Sequence, residues 1–130
     1  MSHQAVLESL EDMYAGFLAN DRVRFDQHLA PDVTTWESHL PALMSRQELD
    51  DYRNRRTPEQ RPVLTDLRIQ EPRIDIWGDQ AVARYELVAV PRDPEGAVEI
   101  RRVTDVLQCQ RGQWVIVHHH AELWLGDEHV

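Results

Sequence analysis

The sequence predicts an α+β fold in which three N-terminal helices pack on a bent antiparallel sheet. In the N-terminal part, apolar residues recur at the three- and four-residue spacing of amphipathic helices. The C-terminal part consists of strand-like runs rich in Val, Ile and Leu, separated by short segments with Gly or Pro. Helices followed by a run of strands are typical of this class. We expect a single domain over residues 1–130, because no linker or repeat divides the chain.

The first helix is predicted from an apolar stripe at helical spacing. Its members are Val6, Leu7, Leu10, Met13, Tyr14, Phe17 and Leu18. Ser2 is a suitable N-cap, and Asn20-Asp21 ends this helix and caps the next one.

A short second helix is predicted over about residues 22–29, with Val23, Phe25 and Leu29 buried and Pro31-Asp32 closing it. Val33–Glu37 then resembles a short strand. A third helix is expected from about residue 46 to a point before Pro58, because Ser45 and Glu48 have the spacing of a capping box.

The remaining sequence predicts strands, with one change of phase. Leu67 and Ile69 are apolar at odd positions, whereas Ile74 and Ile76 are apolar at even positions, and Glu71-Pro72 separates the two pairs. A one-residue phase change in a strand indicates a bulge, where Pro is tolerated. The sheet is therefore expected to bend here.

Three further features complete the predicted sheet. Gly78-Asp79 forms a turn, and the next strand has an apolar odd face: Ala81, Ala83, Tyr85, Leu87 and Ala89. Residues 91–96 form a loop, and residues 100–124 form a hairpin in which Gly112 supplies the positive φ of a tight turn.

Composition excludes several classes of partner. The net charge of −9 is unfavourable for binding nucleic acid or anionic membranes, and no apolar run is long enough to span a bilayer. The N-terminal sequence has no basic start followed by an apolar run, so we expect no signal peptide. The single cysteine, Cys109, excludes an intrachain disulfide and favours a cytoplasmic location.

The run Val115-Ile116-Val117 is apolar on both faces of its strand. In so short a chain the helices cover only one face of the sheet, so the other face needs a partner. This predicts a homodimer that associates through the outer face of the sheet.

Three stretches resemble a known family: Ala30–Glu37, Pro72–Asp79 and Thr104–His120. On these stretches the chain resembles the nuclear transport factor 2-like superfamily. Within it the chain resembles the SnoaL-like proteins and, more closely, the association (hub) domain of calcium/calmodulin-dependent protein kinase II. The order of helices, strands and turns agrees over residues 3–124. The resemblance implies a cone of bent sheet wrapped over helices, a fold that hosts unrelated functions.

Two departures from the relatives limit what the resemblance implies. At the places that match the hub's pocket arginines stand Asp105, Ala121 and Leu87 or Val88. An anion site is therefore not implied. Ketosteroid isomerases share the fold and carry a carboxylate base where this chain has Ser38. Glu37 stands beside Ser38 and is expected to point to the opposite side, so steroid isomerisation is not expected.

The hairpin carries the residues with the clearest chemistry. In a strand, His118 and His120 share one face and His119 takes the other. Together with Glu122, the first two could begin a metal site, but no convincing further ligand follows, and we expect no metal. The alternatives are a polar patch on a pocket wall and histidines in packing or dimer contacts.

Asp105 lies on the neighbouring strand, roughly opposite residues 119–121. A carboxyl group that holds one imidazole nitrogen fixes the tautomer and raises the histidine pKa. Asp105 and His120 are therefore candidates for an acid/base pair. The alternative is a structural hydrogen bond that satisfies a buried Asp.

Three aromatic residues extend the candidate pocket. Tyr14 lies on the apolar stripe of the first helix, where its hydroxyl needs a partner or a cavity. Trp36 and Tyr85 would form an aromatic wall, although core packing explains them equally well.

The sequence thus predicts a homodimeric domain whose cone binds a small, partly apolar organic molecule, with no cofactor. The predicted pocket residues are Tyr14, Trp36, Tyr85, Asp105, His118 and His120. Two alternatives stay open. One is a cofactor-independent isomerase, cyclase or dehydratase, and the other is a non-catalytic oligomerisation module.

Overall fold

A computed structural model describes residues 2–125, so the two ends of the predicted domain, residue 1 and residues 126–130, lie outside the described part. The helices are α1 (His3–Leu18), α2 (Arg22–Asp26) and α3 (Arg46–Arg55), followed by a 3-10 helix (Pro58–Gln60). The strands are β1 (Leu29–Glu37), β2 (Leu64–Trp77), β3 (Gln80–Pro91), β4 (Glu99–Gln110) and β5 (Gln113–Leu123). The α+β class is confirmed.

The helices begin where their capping residues predict. Ser2 accepts a hydrogen bond from the amide of Ala5, and Ser45 and Glu48 form the reciprocal capping box that starts α3. The second helix is shorter than expected, because β1 already begins at Leu29. Val23 is 73% exposed, so its predicted burial is wrong.

The five strands form one sheet in the order β1-β5-β4-β3-β2. All neighbouring pairs are antiparallel except β1 and β5, which are parallel, so the sheet is mixed rather than fully antiparallel. Pro31 is tolerated within β1 because this strand lies at the edge of the sheet.

Helix α1 covers one face of the sheet, which we call the inner face; the opposite face is the outer face. The apolar stripe of α1 packs against the predicted odd face of β3 and the inner residues of β4 and β5. The buried members of this core include Leu10, Met13, Ala83, Leu107 and Ile116. Burial of this apolar surface is the main source of stability.

Two bulges change which residues face inward. In β2 the register shifts between Gln70 and Arg73, and Glu71 has a φ of 53°, which confirms the predicted bulge at Glu71-Pro72. A second bulge lies in β5. There Leu107 pairs with Ile116 but Val106 pairs with His118, so Val117 is the extra residue.

The final hairpin turns at Arg111-Gly112, with φ values of 55° and 78°. Positive φ at both central residues is the requirement of a type I′ turn, which matches the twist of the flanking strands. Gln110 pairs with Gln113 directly across this turn.

Candidate functional site

The bulge at Val117 decides which histidine reaches the interior. Before the bulge, Trp114 and Ile116 are buried on the inner face; after it, the inward positions are His119 and Ala121. Asp105, which is completely buried, pairs in register with His119. The histidine that meets Asp105 is therefore the central one of the three.

Five side chains on the inner face form one continuous hydrogen-bonded series, which we call the polar chain: Tyr14, Tyr85, Asp105, His119 and Glu37. The hydroxyls of Tyr14 and Tyr85 lie 2.6 Å apart, and Tyr85 Oη lies 2.5 Å from Asp105 Oδ2. His119 Nδ1 lies 2.5 Å from Asp105 Oδ1, and His119 Nε2 lies 3.0 Å from Glu37 Oε1. Residues of α1, β3, β4, β5 and β1 thus meet in one line.

The direction of each hydrogen bond follows from what each group can donate. Tyr85 donates its single hydroxyl proton to Asp105, so Tyr14 must donate to Tyr85. The two ring nitrogens of His119 face two carboxyl groups, and an imidazole that donates to both must carry both protons. His119 is therefore an imidazolium in this arrangement.

The electrostatic surroundings agree with this protonation state. Burial alone would lower the pKa of His119, but the charges and hydrogen bonds of Asp105 and Glu37 raise it to about 10. Burial would raise the pKa of Glu37, whereas His119, His39 and Arg101 lower it below its usual value. At neutral pH the site holds a protonated His119 and an ionised Glu37.

The two tyrosines are held in the neutral form. Burial, followed by the nearby charge of Asp105, raises the pKa of both Tyr14 and Tyr85 well above the ordinary value. Their rings meet edge to face with centroids 6.1 Å apart. The hydroxyls of both tyrosines thus have hydrogen-bond partners within the core.

Glu37 has one carboxylate oxygen, Oε2, that accepts no hydrogen bond within residues 2–125. Both oxygens of Asp105 accept hydrogen bonds, and its side chain is 0% exposed. Glu37 Oε1 accepts from His119, while Oε2 lies 3.4 Å from His39 Nε2. The Glu37 side chain is 29% exposed. A small molecule would therefore meet the polar chain at Glu37 Oε2.

The surroundings of Glu37 are mixed in character. Across the inner face, Glu37 pairs with Ala121, which pairs with Val103, and both are buried. The next inward position of β4 is Arg101, which lies between Leu87 and Leu123 in the sheet. Apolar side chains thus flank one carboxylate and one guanidinium at this end of the sheet.

Three predicted pocket residues lie on the outer face instead. His118 Nδ1 is hydrogen-bonded to Thr34 Oγ1 at 2.7 Å. The rings of Trp36 and His120 lie side by side, tilted by 31°, with centroids 6.0 Å apart. Trp36 is 50% exposed. The predicted convergence of His118 and His120 with Asp105, and of Trp36 with Tyr85, is corrected. Trp36 lies outward because Val33 and Thr35 are the buried, inward positions of β1. For the two histidines the reason is the bulge, which reverses the parity of β5 after Val117.

The candidate acid/base pair is corrected for the same reason. Asp105 has no free oxygen, and His120 faces away from it on the outer side of the sheet. His119 was not among the predicted pocket residues, and Glu37 was expected to point to the side opposite that of Ser38. The sequence does carry a signal for Glu37, since Val33, Thr35 and Glu37 alternate along β1 and so share a face with the apolar Val33. In the structure Val33 and Thr35 are buried.

Within residues 2–125, no group of three or more His, Cys, Asp and Glu side chains is placed to hold a metal ion. In the same part of the chain, no helix is long and apolar enough to cross a membrane.

Two surface depressions stand apart from the polar chain's exposed end. One of about 440 Å³ lies on the outer face and includes Arg84, Arg102, His120 and Glu122 in its wall. The other, of about 520 Å³, lies between the start of α1 and the bulge of β2. Neither has Glu37 or His119 in its wall.

Comparison with known proteins gives one matching family and several solved structures of similar fold. The family model described as a SnoaL-like domain matches residues 6–123. Comparison with curated protein sequences gives no significant match.

Three solved structures illustrate the likeness of the fold. An NTF2-like protein of unknown function from Pseudomonas putida KT2440 is 18% identical, with a TM-score of 0.78 over 99% of this chain and 93% of that one. The CaMKII hub of S. rosetta is 19% identical, with a TM-score of 0.77 over 93% and 95%. A ketosteroid isomerase-like protein from Parabacteroides distasonis ATCC 8503 is 20% identical, with a TM-score of 0.72 over 92% and 89%. At these identities the likeness concerns the fold.

Proposed function

Because the chain belongs to the SnoaL-like family, whose fold encloses a concave sheet face, we propose that it binds a small, partly apolar organic molecule at Glu37. The observation that carries this proposal is Oε2 of the partly exposed Glu37, which accepts no hydrogen bond within residues 2–125 and has His39 Nε2 at 3.4 Å. The ligand would donate a hydrogen bond from a hydroxyl or amide to this oxygen. Its apolar part would lie against Val103, Ala121 and Leu123.

Protonation favours binding over acid/base catalysis. A general acid or base works best when its pKa lies near the operating pH. Here the pKa of His119 is raised to about 10, and the pKa of Glu37 is lowered below its usual value. His119 therefore stays protonated at neutral pH, and Glu37 stays ionised. An ionised, anchored carboxylate is instead well suited to accept a hydrogen bond from a ligand.

The polar chain has a defined role in this proposal. The imidazolium of His119 fixes one oxygen of Glu37 and leaves the other free, which sets the direction from which a donor approaches. Asp105 holds the imidazolium in place with Oδ1. Tyr85 donates to Oδ2 of Asp105, and Tyr14 donates to Tyr85. The ligand is thus recognised by a group whose geometry exists before binding, which lowers the entropic cost of association.

We further propose that the outer sheet face joins two copies of the chain and that the protein is cytoplasmic, as the lone Cys109 suggests. The half-exposed Trp36 lies on this face, beside arginines and glutamates that alternate across β3, β4 and β5. Interleaved charges of both signs suit a second copy of the same surface. A purely structural oligomerisation module is the alternative if no ligand is found.

Ligand-observed NMR with a panel of small cyclic alcohols, phenols and amides finds compounds that bind, and protein-observed NMR then locates their site. At least one compound should bind to the wild-type protein and shift the imidazolium signals of His119. Glu37→Gln removes the charge but keeps the shape, and should weaken binding about tenfold or more, since hydrogen bonds to charged groups contribute about 1.5–3 kcal/mol.

Glu122→Gln provides the matched control. Glu122 is an exposed carboxylate on the outer face, so its replacement should leave binding unchanged. Equal binding by the wild type and Glu37→Gln, or signal changes confined to the outer face, would contradict the proposal.

A further inference from the structure

A serine, a histidine and an aspartate meet where α1 contacts the segment between α2 and β1; we call them the Ser9 triad. Ser9 and Asp12 are three positions apart on α1, so their side chains lie on the same side of the helix. His28 reaches both of them. Its Nδ1 lies 3.0 Å from Ser9 Oγ, and its Nε2 lies 2.7 Å from Asp12 Oδ2.

The imidazole of His28 is held in a fixed position. His28 is 7% exposed, and its backbone oxygen accepts a hydrogen bond from the amide of Ile116 at 2.8 Å. Asp12 is fixed in turn by Arg24 of α2, whose Nε donates to Asp12 Oδ1 at 3.0 Å. Hydrogen bonds from Arg24 and His28 lower the pKa of Asp12 to about 2, so this carboxyl group is ionised at neutral pH. Because a carboxylate only accepts hydrogen bonds, His28 Nε2 carries a proton.

The direction of the Ser9 hydrogen bond depends on the charge of His28. Ser9 Oγ lies 3.1 Å from the backbone oxygen of Trp114 as well as 3.0 Å from His28 Nδ1. When His28 is an imidazolium, Nδ1 donates to Ser9, and Ser9 donates to Trp114. When His28 is neutral, its single proton is on Nε2, and Nδ1 accepts the proton of Ser9 in a hydrogen bond. A serine that donates to an oriented imidazole is an activated nucleophile.

We propose that Ser9 takes acyl groups from small esters, with His28 as its general base and Asp12 as the residue that positions His28. Ser9 is partly exposed, and neither surface depression has it in its wall. The ester therefore reaches Ser9 from the open surface, which favours a small acyl group over a bulky one. This site is separate from Glu37, so the proposal does not depend on the ligand proposed above.

The reaction balances with water as the second reactant. Ser9 Oγ attacks the carbonyl carbon of the ester, and His28 Nδ1 takes the hydroxyl proton. The bond between that carbon and the alcohol oxygen breaks, and the alcohol leaves with the proton from His28. Water then attacks the acyl-serine while His28 accepts one of its protons and returns it to Ser9 Oγ. One ester and one water give one carboxylic acid and one alcohol.

Incubation with p-nitrophenyl acetate tests the proposal. Peptide mass spectrometry should find an acetyl group on Ser9, or p-nitrophenolate should be released continuously if the acyl-serine is hydrolysed quickly. The chain contains no lysine, so no lysine amine competes for the acyl group. Ser9→Ala should lose both signals and supplies the background rate at each pH.

Ser38 is the matched serine within the same molecule. Its Oγ lies 3.4 Å from the backbone oxygen of Ala121 and accepts a hydrogen bond from the amide of Leu123 at 2.7 Å, so it is bonded to backbone groups of β5. Ser9 should be acetylated at least about tenfold faster than Ser38. A general base contributes about 10²–10⁴-fold, so His28→Gln should slow the reaction at Ser9 about a hundredfold.

The pH profile of the wild type distinguishes a base from a structural contact. Asp12 is the charged side chain that contacts His28, Arg24 contacts Asp12, and β5 contributes the backbone oxygen of Trp114. Over about pH 5–9 the rate should rise to a plateau, because only the neutral imidazole accepts the Ser9 proton. Asp12→Asn should move this rise to lower pH, since the imidazolium loses the negative charge beside it.

Three results would each overturn the proposal. They are equal acetylation of Ser9 and Ser38, an unchanged rate in His28→Gln, and a wild-type rate that does not depend on pH. If circular dichroism shows that His28→Gln is unfolded, the comparison of the two serines and the pH profile, both measured on the wild type, decide.

Discussion

Asp105 is the residue on which the polar chain depends. It is completely buried, and its two oxygens accept hydrogen bonds from Tyr85 and His119. A buried polar group is costly unless it is paired, and a group that satisfies two partners leaves both unpaired when it is lost. The polar chain is therefore stable only when complete.

The first prediction concerns this residue. Asp105→Asn keeps the shape but removes the negative charge beside the His119 imidazolium, and it offers an amide where two acceptors are needed. Removing one partner of a buried ion pair typically costs about 3–5 kcal/mol, and we expect a loss of about 3 kcal/mol in the free energy of unfolding. Urea denaturation followed by circular dichroism measures it.

Asp66→Asn, a change at an exposed ion pair on β2, serves as the comparison and should cost less than about 1 kcal/mol. Equal losses in the two variants would show that Asp105 does not anchor the polar chain.

The second prediction is a loss of stability in alkali that depends on His119. Its pKa is raised from 6.5 to about 10 in the folded protein, so the native state holds the proton more tightly than the unfolded chain. The resulting stabilisation is fully present below about pH 6.5 and is lost as the pH rises through about 10. Over this window the free energy of unfolding should fall by up to about 1.4 kcal/mol per pH unit.

Denaturation curves recorded at a series of pH values provide the measurement. Tyr14 and Tyr85 add stability losses of the same sign at higher pH, because their pKa values are also raised. His119→Gln isolates the contribution of the imidazole and should flatten the curve between pH 7 and 10. Parallel curves for the wild type and the variant would refute the assigned protonation of His119.

At the scale of the elements, the two bulges show what the sequence reveals and what it conceals. The bulge in β2 is visible because polar and apolar residues alternate on both sides of Glu71-Pro72, so the change of phase can be counted. The bulge in β5 lies within Val115-Ile116-Val117, where every residue is apolar. Where every residue is apolar, an inserted residue does not change the polar and apolar pattern, so the positions that follow cannot be assigned to a face.

This difference explains which parts of the site could be predicted. Tyr14, Tyr85 and Asp105 precede the bulge of β5 or lie on other strands, and their inward positions follow from periodicity alone. His118 and His120 follow it, and were assigned to the wrong face. Glu37 was missed because it was expected to point to the side opposite that of Ser38, the position that matches the isomerase base. Predicting the fold required only the order of the helices and strands, whereas predicting the site required the strand register to within one residue.

The third prediction concerns the hairpin that sets this register. Gly112 has a φ of 78°, and a Cβ built there meets no atom within 4 Å, so substitution acts through backbone conformation alone. Gly112→Ala should cost about 1 kcal/mol, and Gly112→Val more, because a branched side chain adopts this conformation least readily. Thermal unfolding measures the order.

Gly112→Asn is the control, since Asn tolerates the left-handed region better than Ala. Its melting temperature should lie between those of the wild type and Gly112→Ala. A melting temperature for Gly112→Val equal to that of Gly112→Asn would show that the turn tolerates a different backbone geometry.

At the scale of the whole molecule, the outer face is the sheet surface that no helix of residues 2–125 covers. It carries Trp36 and an array of alternating Arg and Glu side chains. A stable dimer typically buries about 800 Å² per partner. We predict a homodimer in sedimentation velocity, with twice the mass of the 15.2 kDa chain.

Trp36→Arg should convert this dimer into a monomer of normal stability, because the side chain is half-exposed and lies outside the core. Val23→Arg is the matched control. Val23 is even more exposed but belongs to α2, away from the outer face, and its replacement should leave the dimer intact. A wild-type protein that sediments as a monomer at all concentrations, or a dimer that Trp36→Arg leaves unchanged, would exclude this interface.

The parallel pairing of β1 with β5 has a consequence for how the protein is made. Glu37 and His119, which are in contact in the folded protein, lie 82 positions apart in the sequence. During synthesis β1 has no partner strand until β5 has left the ribosome, because β5 is the strand with which it pairs. Contacts between distant residues form slowly, so this closing step is expected to limit the rate of folding. The polar chain is thus assembled last, and a nascent chain cut short before β5 lacks His119 and cannot complete it.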